Sequence, residues 1–206
     1  MARYWMAEGL DEEAQDFVRK SMEEHRIRTF FASLLAPSPF HWHFQQAYEA
    51  LISEYYLPGI SGLLNGIEHS LRTTVAILDG KDLDGDIGTT LSNRLLLEAH
   101  NKGMEIDILR MPGESDLVNG VKSKKVNVGL VMLRHNICHG NFRMFRRDID
   151  GIEYFTPECL LPTAITLLDI SYKWAVHLNE FLFRHDLKHL SEDHGNIPDN
   201  PLLSRL

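Results

Sequence analysis

The chain has 206 residues and a net charge of −8, with 44% hydrophobic and 24% charged residues. These values are typical of a folded globular protein, and the acidic balance argues against a surface that coats nucleic acid throughout. Because no apolar run reaches the roughly 18 to 20 residues that span a bilayer, and no secretory signal begins the chain, we expect a cytoplasmic protein without membrane contact.

The first three predicted elements are helices. Residues 11–35 combine helix formers with early acids and end in the proline-rich segment APSP. A second helix follows Pro39 and is expected to close at Pro58 and Gly59. A third is predicted from Ile60 to Leu78, because apolar residues recur there every three or four positions.

The loop after the third helix has two interpretations. Aspartates alternate over residues 82–86 as in a calcium-binding loop, but glycine and glutamate are missing where such a loop needs them. We therefore favour a solvated turn, followed by a helix that Thr89 or Thr90 would cap. Residues 103–123 contain glycine, proline and serine and are expected to be irregular.

A helix predicted from Lys124 to His139 is apolar on two opposite sides. Its first stripe is Val126, Leu130, Leu133 and Ile137, and its second is Val128, Met132, His135 and His139. A helix of this kind lies at the centre of a bundle or is shared with a second subunit. Gly140 fits the position that ends the helix.

The last elements are a hairpin and a long helix. Asp150 and Gly151 predict a tight hairpin turn, and the closing helix is expected from Pro162 to His185. The inward positions of that helix are predicted to be Ala164, Leu167, Leu168, Ser171, Ala175, Leu178 and Leu182.

Together the elements predict an all-α fold, a helical bundle with a small β-hairpin after the helix predicted from Lys124 to His139. We divide the chain into an N-terminal helical extension (1–57), a helical domain (58–190) and a polar C-terminal tail (191–206).

Charge is unevenly distributed along the chain. From Val121 to Arg147 there is no acidic residue, while lysines and arginines give a charge of +7. Such a run is either a solvated face or a site for a polyanion. We call it the basic segment.

Motifs of several common enzyme classes are absent, among them the serine nucleophile elbow, the phosphate loop and the dinucleotide fingerprint. His135 and His139 could share a metal, but Asn136 stands where a zinc protease needs glutamate, and no third ligand is evident. We expect neither a metal nor a cofactor. Cys138 and Cys159 show no metal spacing and are expected to pack in the interior.

Arg134 and His139 have the chemistry that RNA cleavage without metal requires. Histidine titrates near neutrality, so His139 can serve as acid or base, while the always-charged fork of Arg134 can hold a phosphorane. One copy supplies one evident titrating group. A symmetric dimer that apposes the second stripe would bring two copies together and complete the site.

The segment RHNICHG resembles the R-x4-H motif of HEPN domains, and the likeness covers roughly Ile60 to His185. The resemblance implies a homodimeric, metal-independent endoribonuclease that leaves a 2′,3′-cyclic phosphate and a 5′-OH. It also implies a toxin or phage-defence role, with an antitoxin or regulatory protein as a further partner. Arg134 and His139 would be the catalytic pair, with His135 as an accessory polar residue.

Two further assignments follow from the resemblance. HEPN proteins often add an acidic residue from an earlier helix, and Glu68 is the candidate, although Glu68 could instead form an i, i+4 salt bridge with Arg72. Members regulated by adenylylation carry tyrosine where this chain has Asn141, which puts such control in doubt. The basic segment, rather than the resemblance, leads us to assign RNA contacts to Lys124, Lys125, Asn141, Arg143, Arg146 and Arg147.

Two rival functions remain. One is a non-catalytic module that binds RNA or a nucleotide through the basic segment. The other is a structural interaction domain in which Arg134 and His139 form a satisfied polar cluster at a subunit interface.

Overall fold

A computed structural model describes residues 11–36, 40–81, 90–123, 125–187 and 200–206. Over these residues the chain is mostly helical, with one two-stranded antiparallel sheet, which confirms the predicted fold class. The helices are α1 (Glu12–Arg28), α2 (Phe30–Leu35), α3 (His41–Ile52), α4 (Tyr56–Leu78), α5 (Asn93–Asn101), α6 (Leu117–Val121), α7 (Gly129–Cys138) and α8 (Leu161–Arg184). The strands are β1 (Arg147–Ile149) and β2 (Ile152–Tyr154). Short 3₁₀ helices lie at Ile106–Leu109, Phe142–Phe145, Pro157–Leu160 and Pro201–Arg205.

The two long helices, α4 and α8, form the centre of the bundle. Trp174 of α8 is fully buried, and its indole Nε1 donates to Ser70 Oγ of α4 at 2.9 Å. All seven positions of α8 that were predicted to face inward are buried. The helix begins at Leu161, one residue before the predicted Pro162. Proline fits there, because N–H groups in the first turn of a helix have no hydrogen-bond acceptor within the helix.

The helices before α4 belong to the same hydrophobic core. Phe31 of α2 stacks on Phe44 of α3 at a centroid distance of 5.1 Å, and both rings are fully buried. α3 lies very close to α4, because a Cβ added at Gly62 would stand only 2.8 Å from the Cβ of Ala47. One core thus extends on both sides of residue 57. The division of the chain at that residue stays a prediction.

Two of the N-terminal helix boundaries differ from the prediction. The single helix expected over 11–35 is broken at Thr29, so that α2 turns its phenylalanines into the core. The expectation that Pro58 and Gly59 end the second helix was wrong, since α3 ends at Ile52. Pro58 lies instead in the first turn of α4, where a helix needs no N–H from it.

The cap of α5 was also assigned wrongly. Ser92 caps the helix by accepting from the Leu95 N–H at 3.3 Å, whereas Thr90 stands two residues earlier. The aspartate-rich loop and Thr89 lie outside the described residues. The segment 103–123 is more regular than expected, because a 3₁₀ turn and α6 form within it.

The described end of the chain is more than a polar tail. Residues 200–206 form a 3₁₀ turn whose Leu202 is fully buried. Arg205 pairs with Glu24 of α1 at 2.9 Å. Leu203 and Leu206 are partly buried against the same core, so apolar packing holds the turn against the bundle.

The hairpin turn was predicted correctly. Asp150 and Gly151 have φ values of 53° and 81°, the left-handed pair that a two-residue hairpin loop requires. Ile149 pairs with Ile152 across the turn, and both side chains are exposed.

Burial of His177 makes the fold sensitive to acid. Its Nε2 accepts the Glu105 N–H at 3.1 Å, and burial lowers its pKa below the ordinary 6.5. A lowered pKa favours the neutral ring in the folded state, so its contribution to stability is complete above pH 6.5 and is lost as pH falls below it. We expect the urea midpoint to drop between about pH 7.5 and 5.5. His177→Gln should flatten this dependence, whereas His25→Gln, at an exposed position, should leave it unchanged.

In the described part of the chain, no helix combines the length and the hydropathy that a bilayer-crossing segment needs.

Candidate functional site

Helix α7 carries the motif and is anchored at its N-terminus by two other segments. Its Gly129 N–H donates to Glu114 Oε1 at 2.6 Å, and the preceding Val128 N–H donates to Asn93 Oδ1 at 3.1 Å. The helix therefore begins at Gly129, five residues later than predicted. Val126 lies before it and is 65% exposed, so its assignment to the buried stripe was wrong.

The remainder of the first stripe is buried, as predicted, at Leu130, Leu133 and Ile137. The end of the helix is also as predicted, because Gly140 adopts a φ of 66°. The Asn141 N–H returns to the Asn136 carbonyl at 2.8 Å, which is the 6→1 bond of a Schellman motif. This ending fixes the backbone at His139, the last residue before the glycine.

The central contact of the site joins α7 to α4. Arg134 Nε donates to Glu68 Oε2 at 3.1 Å, between residues 66 positions apart in the chain. The Glu68 side chain is only 10% exposed and that of Arg134 25% exposed. The two residues assigned to the site from different helices are therefore brought together.

Arg72 is a third member of this cluster. Its Nη1 lies 3.7 Å from Glu68 Oε1, so Glu68 forms both the i, i+4 pair and the pair with Arg134. The Arg72 Nε is buried without a hydrogen-bond partner. Two arginines thus share one carboxylate, which leaves the cluster with a net charge of +1. Sequence spacing indicated Arg72 only as an alternative partner of Glu68.

The histidines of the motif lie on the outside of α7. The rings of His135 and His139 have centroids 4.4 Å apart, as expected for an i, i+4 pair, and both residues are exposed. Met132, from the same stripe, is 47% exposed. Apart from Val128, the second stripe therefore faces away from the core of its own chain.

Most of the residues assigned to RNA contacts are exposed, Lys125 before the start of α7 and the others after its end. Lys125, Arg143 and Arg147 are exposed and form no ion pair within the described residues, whereas Arg146 pairs with Glu153 at 2.8 Å. Asn141 Nδ2 donates to Asn136 Oδ1 at 3.0 Å. Lys124 lies outside the described residues.

The two cysteines differ in environment. Cys159 is buried, as expected, but Cys138 is exposed, so its assignment as a packing residue was wrong. The reason is its direction on α7: it follows Ile137, which faces the core, by about 100°.

His69, next to Glu68, is turned away from the cluster towards α3. Its ring lies 5.3 Å from that of His43 and 6.1 Å from that of Phe40. Burial, the neighbouring His43 and Arg72 lower its pKa. His69 is thus a packing residue of the α3–α4 contact.

The described residues contain an open groove but no metal-binding cluster. No group of three or more histidine, cysteine, aspartate or glutamate side chains is arranged to hold a metal ion. An open groove of about 810 Å³ lies between the segment 105–114 and α8, and none of the assigned site residues lines it.

Comparison of the chain with protein-family models, with curated proteins and with solved structures found no match. The likeness to HEPN domains therefore depends on the motif residues alone.

Proposed function

We propose that the protein is a metal-independent endoribonuclease of the HEPN type, which cleaves RNA to a 2′,3′-cyclic phosphate and a 5′-OH. In this proposal the 2′-oxygen attacks the adjacent phosphorus and the 5′-oxygen leaves with a proton. A toxin or phage-defence role follows from the same resemblance, with an antitoxin or regulatory protein as a further partner.

The observation that carries the proposal is the way Arg134 is held. Glu68 occupies Nε, which leaves both terminal amino groups of the guanidinium for other acceptors. A planar fork fixed along one edge is suited to two oxygens of a phosphorane. In this proposal Glu68 acts through its contact with Arg134, as a positioning residue.

His139 supplies the proton transfer in this proposal. It lies at the exposed end of α7, in a segment that contains no acidic residue from 121 to 147. Because His139 forms no ion pair with a carboxylate among the described residues, its imidazole is available to take the 2′-OH proton or to protonate the leaving 5′-oxygen. His135, whose ring is next to it, is the accessory polar residue.

A homodimer completes the proposed site. Each chain provides one Arg134 and one His139, whereas the reaction needs both a base and an acid. The exposed stripe of Met132, His135 and His139 is suited to facing its own copy, since a two-fold axis brings the same residues together from both chains.

The test is RNA cleavage by the purified protein in excess EDTA, with the product ends identified chemically. We expect wild type to leave 2′,3′-cyclic phosphates and His139→Ala to lose about 100-fold or more in rate, as for a general acid or base. His100→Ala, at a half-buried position on α5, is the matched control and should cleave normally. Equal rates for wild type and His139→Ala would remove His139 from the mechanism.

The alternative function is a non-catalytic module that binds RNA or a protein. Arg143 and Arg147 favour this alternative, because they are exposed, are unpaired within the described residues, and can contact a nucleic-acid backbone without a catalytic group nearby. Binding of RNA that survives His139→Ala, with no cleavage by wild type, would support this alternative.

A further inference from the structure

Helix α1 buries little apolar surface within the described part of the chain, where its contacts include the ion pairs Glu24–Arg205 and Arg28–Glu49. Phe17 and Met22 are 73% and 69% exposed. Helices of this length owe most of their stability in water to packing of an apolar face. In the described part of the chain, Ile27, in the last turn, is the one residue of the 17 in α1 that is buried.

Phe17 and Met22 belong to one stripe of α1, in which Ala14 and Val18 are half-buried and Ser21 and His25 are exposed. At 100° per residue, positions 14, 17, 18, 21, 22 and 25 fall within an arc of about 140°, and Ile27 points about 150° away from its middle. The middle of the stripe therefore points away from Ile27, the buried residue of α1. Its members are Ala14, Phe17, Val18, Ser21, Met22 and His25.

The stripe matches itself in the antiparallel direction. A two-fold axis between Arg19 and Lys20 sets Phe17 opposite the partner's Met22. The same axis sets Ala14 opposite the partner's His25. The large side chains thus meet near the middle of the contact, and smaller or polar ones lie towards its ends.

The charges at the two ends of α1 match in the same direction. Residues 11–16 include four acids and no base, whereas residues 25–28 include His25, Arg26 and Arg28 and no acid. Antiparallel pairing puts the acidic end of one helix beside the basic end of the other, whereas parallel pairing would put like charges together. This complementarity favours the α1 helix of a second copy, in the antiparallel direction, as the partner that binds the stripe.

We propose that α1 is a self-association surface, on which the α1 helix of a second copy packs antiparallel across Phe17 and Met22. The contact is about 25 Å long, the length of one 17-residue helix, so the area is small and the dimer is weak. The surface is distinct from α7 and does not depend on the proposed ribonuclease function.

Site-specific disulfides test both the partner and the direction. In a Cys138→Ser background, which removes the exposed thiol, Ala14→Cys and His25→Cys proteins are oxidised separately and as a mixture. Identical positions would lie about 16 Å apart in the antiparallel pair, too far for a disulfide, whereas positions 14 and 25 would be opposed. We expect at least tenfold more linked dimer in the mixture than in either protein alone.

A second substitution checks that the apolar stripe drives the contact. Phe17→Lys in both proteins should lower the linked yield at least tenfold, while Phe183→Lys, at an exposed site on α8, should leave it unchanged. Equal yields in the mixture and in Ala14→Cys alone would overturn the antiparallel pairing. Binding of the wild type to anionic vesicles through Phe17, with no linked dimer, would overturn the choice of a second copy as occupant.

Discussion

Arg134→Lys is expected to lower the rate of RNA cleavage by about 100-fold or more, although it keeps the positive charge. Arginine can bind Glu68 with Nε while its terminal amino groups face a phosphate. Lysine has a single ammonium group, which must choose between the carboxylate and the substrate. The rate constant under saturating RNA is the measurement, because the loss should appear in kcat more than in KM.

The matched control is Arg143→Lys, at an exposed position of the same basic segment. It should change cleavage less than threefold, since one exposed cation on a nucleic-acid surface acts mainly as a point charge. Circular dichroism and the urea midpoint of both variants check the fold. If Arg134→Lys cleaves as fast as Arg143→Lys, the guanidinium fork has no part in the reaction.

Trp174→Ala is expected to cost about 3–5 kcal/mol in the free energy of unfolding, the usual loss for a large buried aromatic residue. The side chain is fully buried between α8 and α4 and donates a hydrogen bond to Ser70. Removing it leaves a cavity at the contact of the two longest helices. Denaturation by urea, monitored by the circular dichroism of the helices, measures the change.

Trp42→Ala serves as the control for this prediction. Trp42 lies on α3 and is 57% exposed, so its removal should cost less than about 0.5 kcal/mol. Similar losses for the two variants would mean that α8 and α4 do not form the centre of the core.

The sequence alone was sufficient for features that depend on neighbouring residues. The spacing of apolar residues located α4 and α8, because one face of each helix is buried and returns every three or four positions. The hairpin turn followed from Asp150 and Gly151, and the end of α7 from Gly140, since each of these positions adopts a positive φ. These are local preferences, which depend on the residue type and its neighbours in the sequence.

Local preferences misplaced some boundaries. Pro58 was taken as the end of a helix, but the first turn of the next helix accepts proline equally well. Cys138 was assigned to the interior on residue type, yet its direction on α7 exposes it. Both errors have one origin: a residue type permits several environments, and only the packing of the helix selects one of them.

The contact between Glu68 and Arg134 was decided by the tertiary structure. The sequence offered Glu68 two partners, and the i, i+4 pair with Arg72 was the simpler choice. Packing of α7 on α4 brings Arg134 to the same carboxylate across 66 residues, so both pairs form. Periodicity determines which face of each helix is buried. Which buried faces contact each other depends on the packing of the whole core. That packing brings residues that are distant in the chain together in one site.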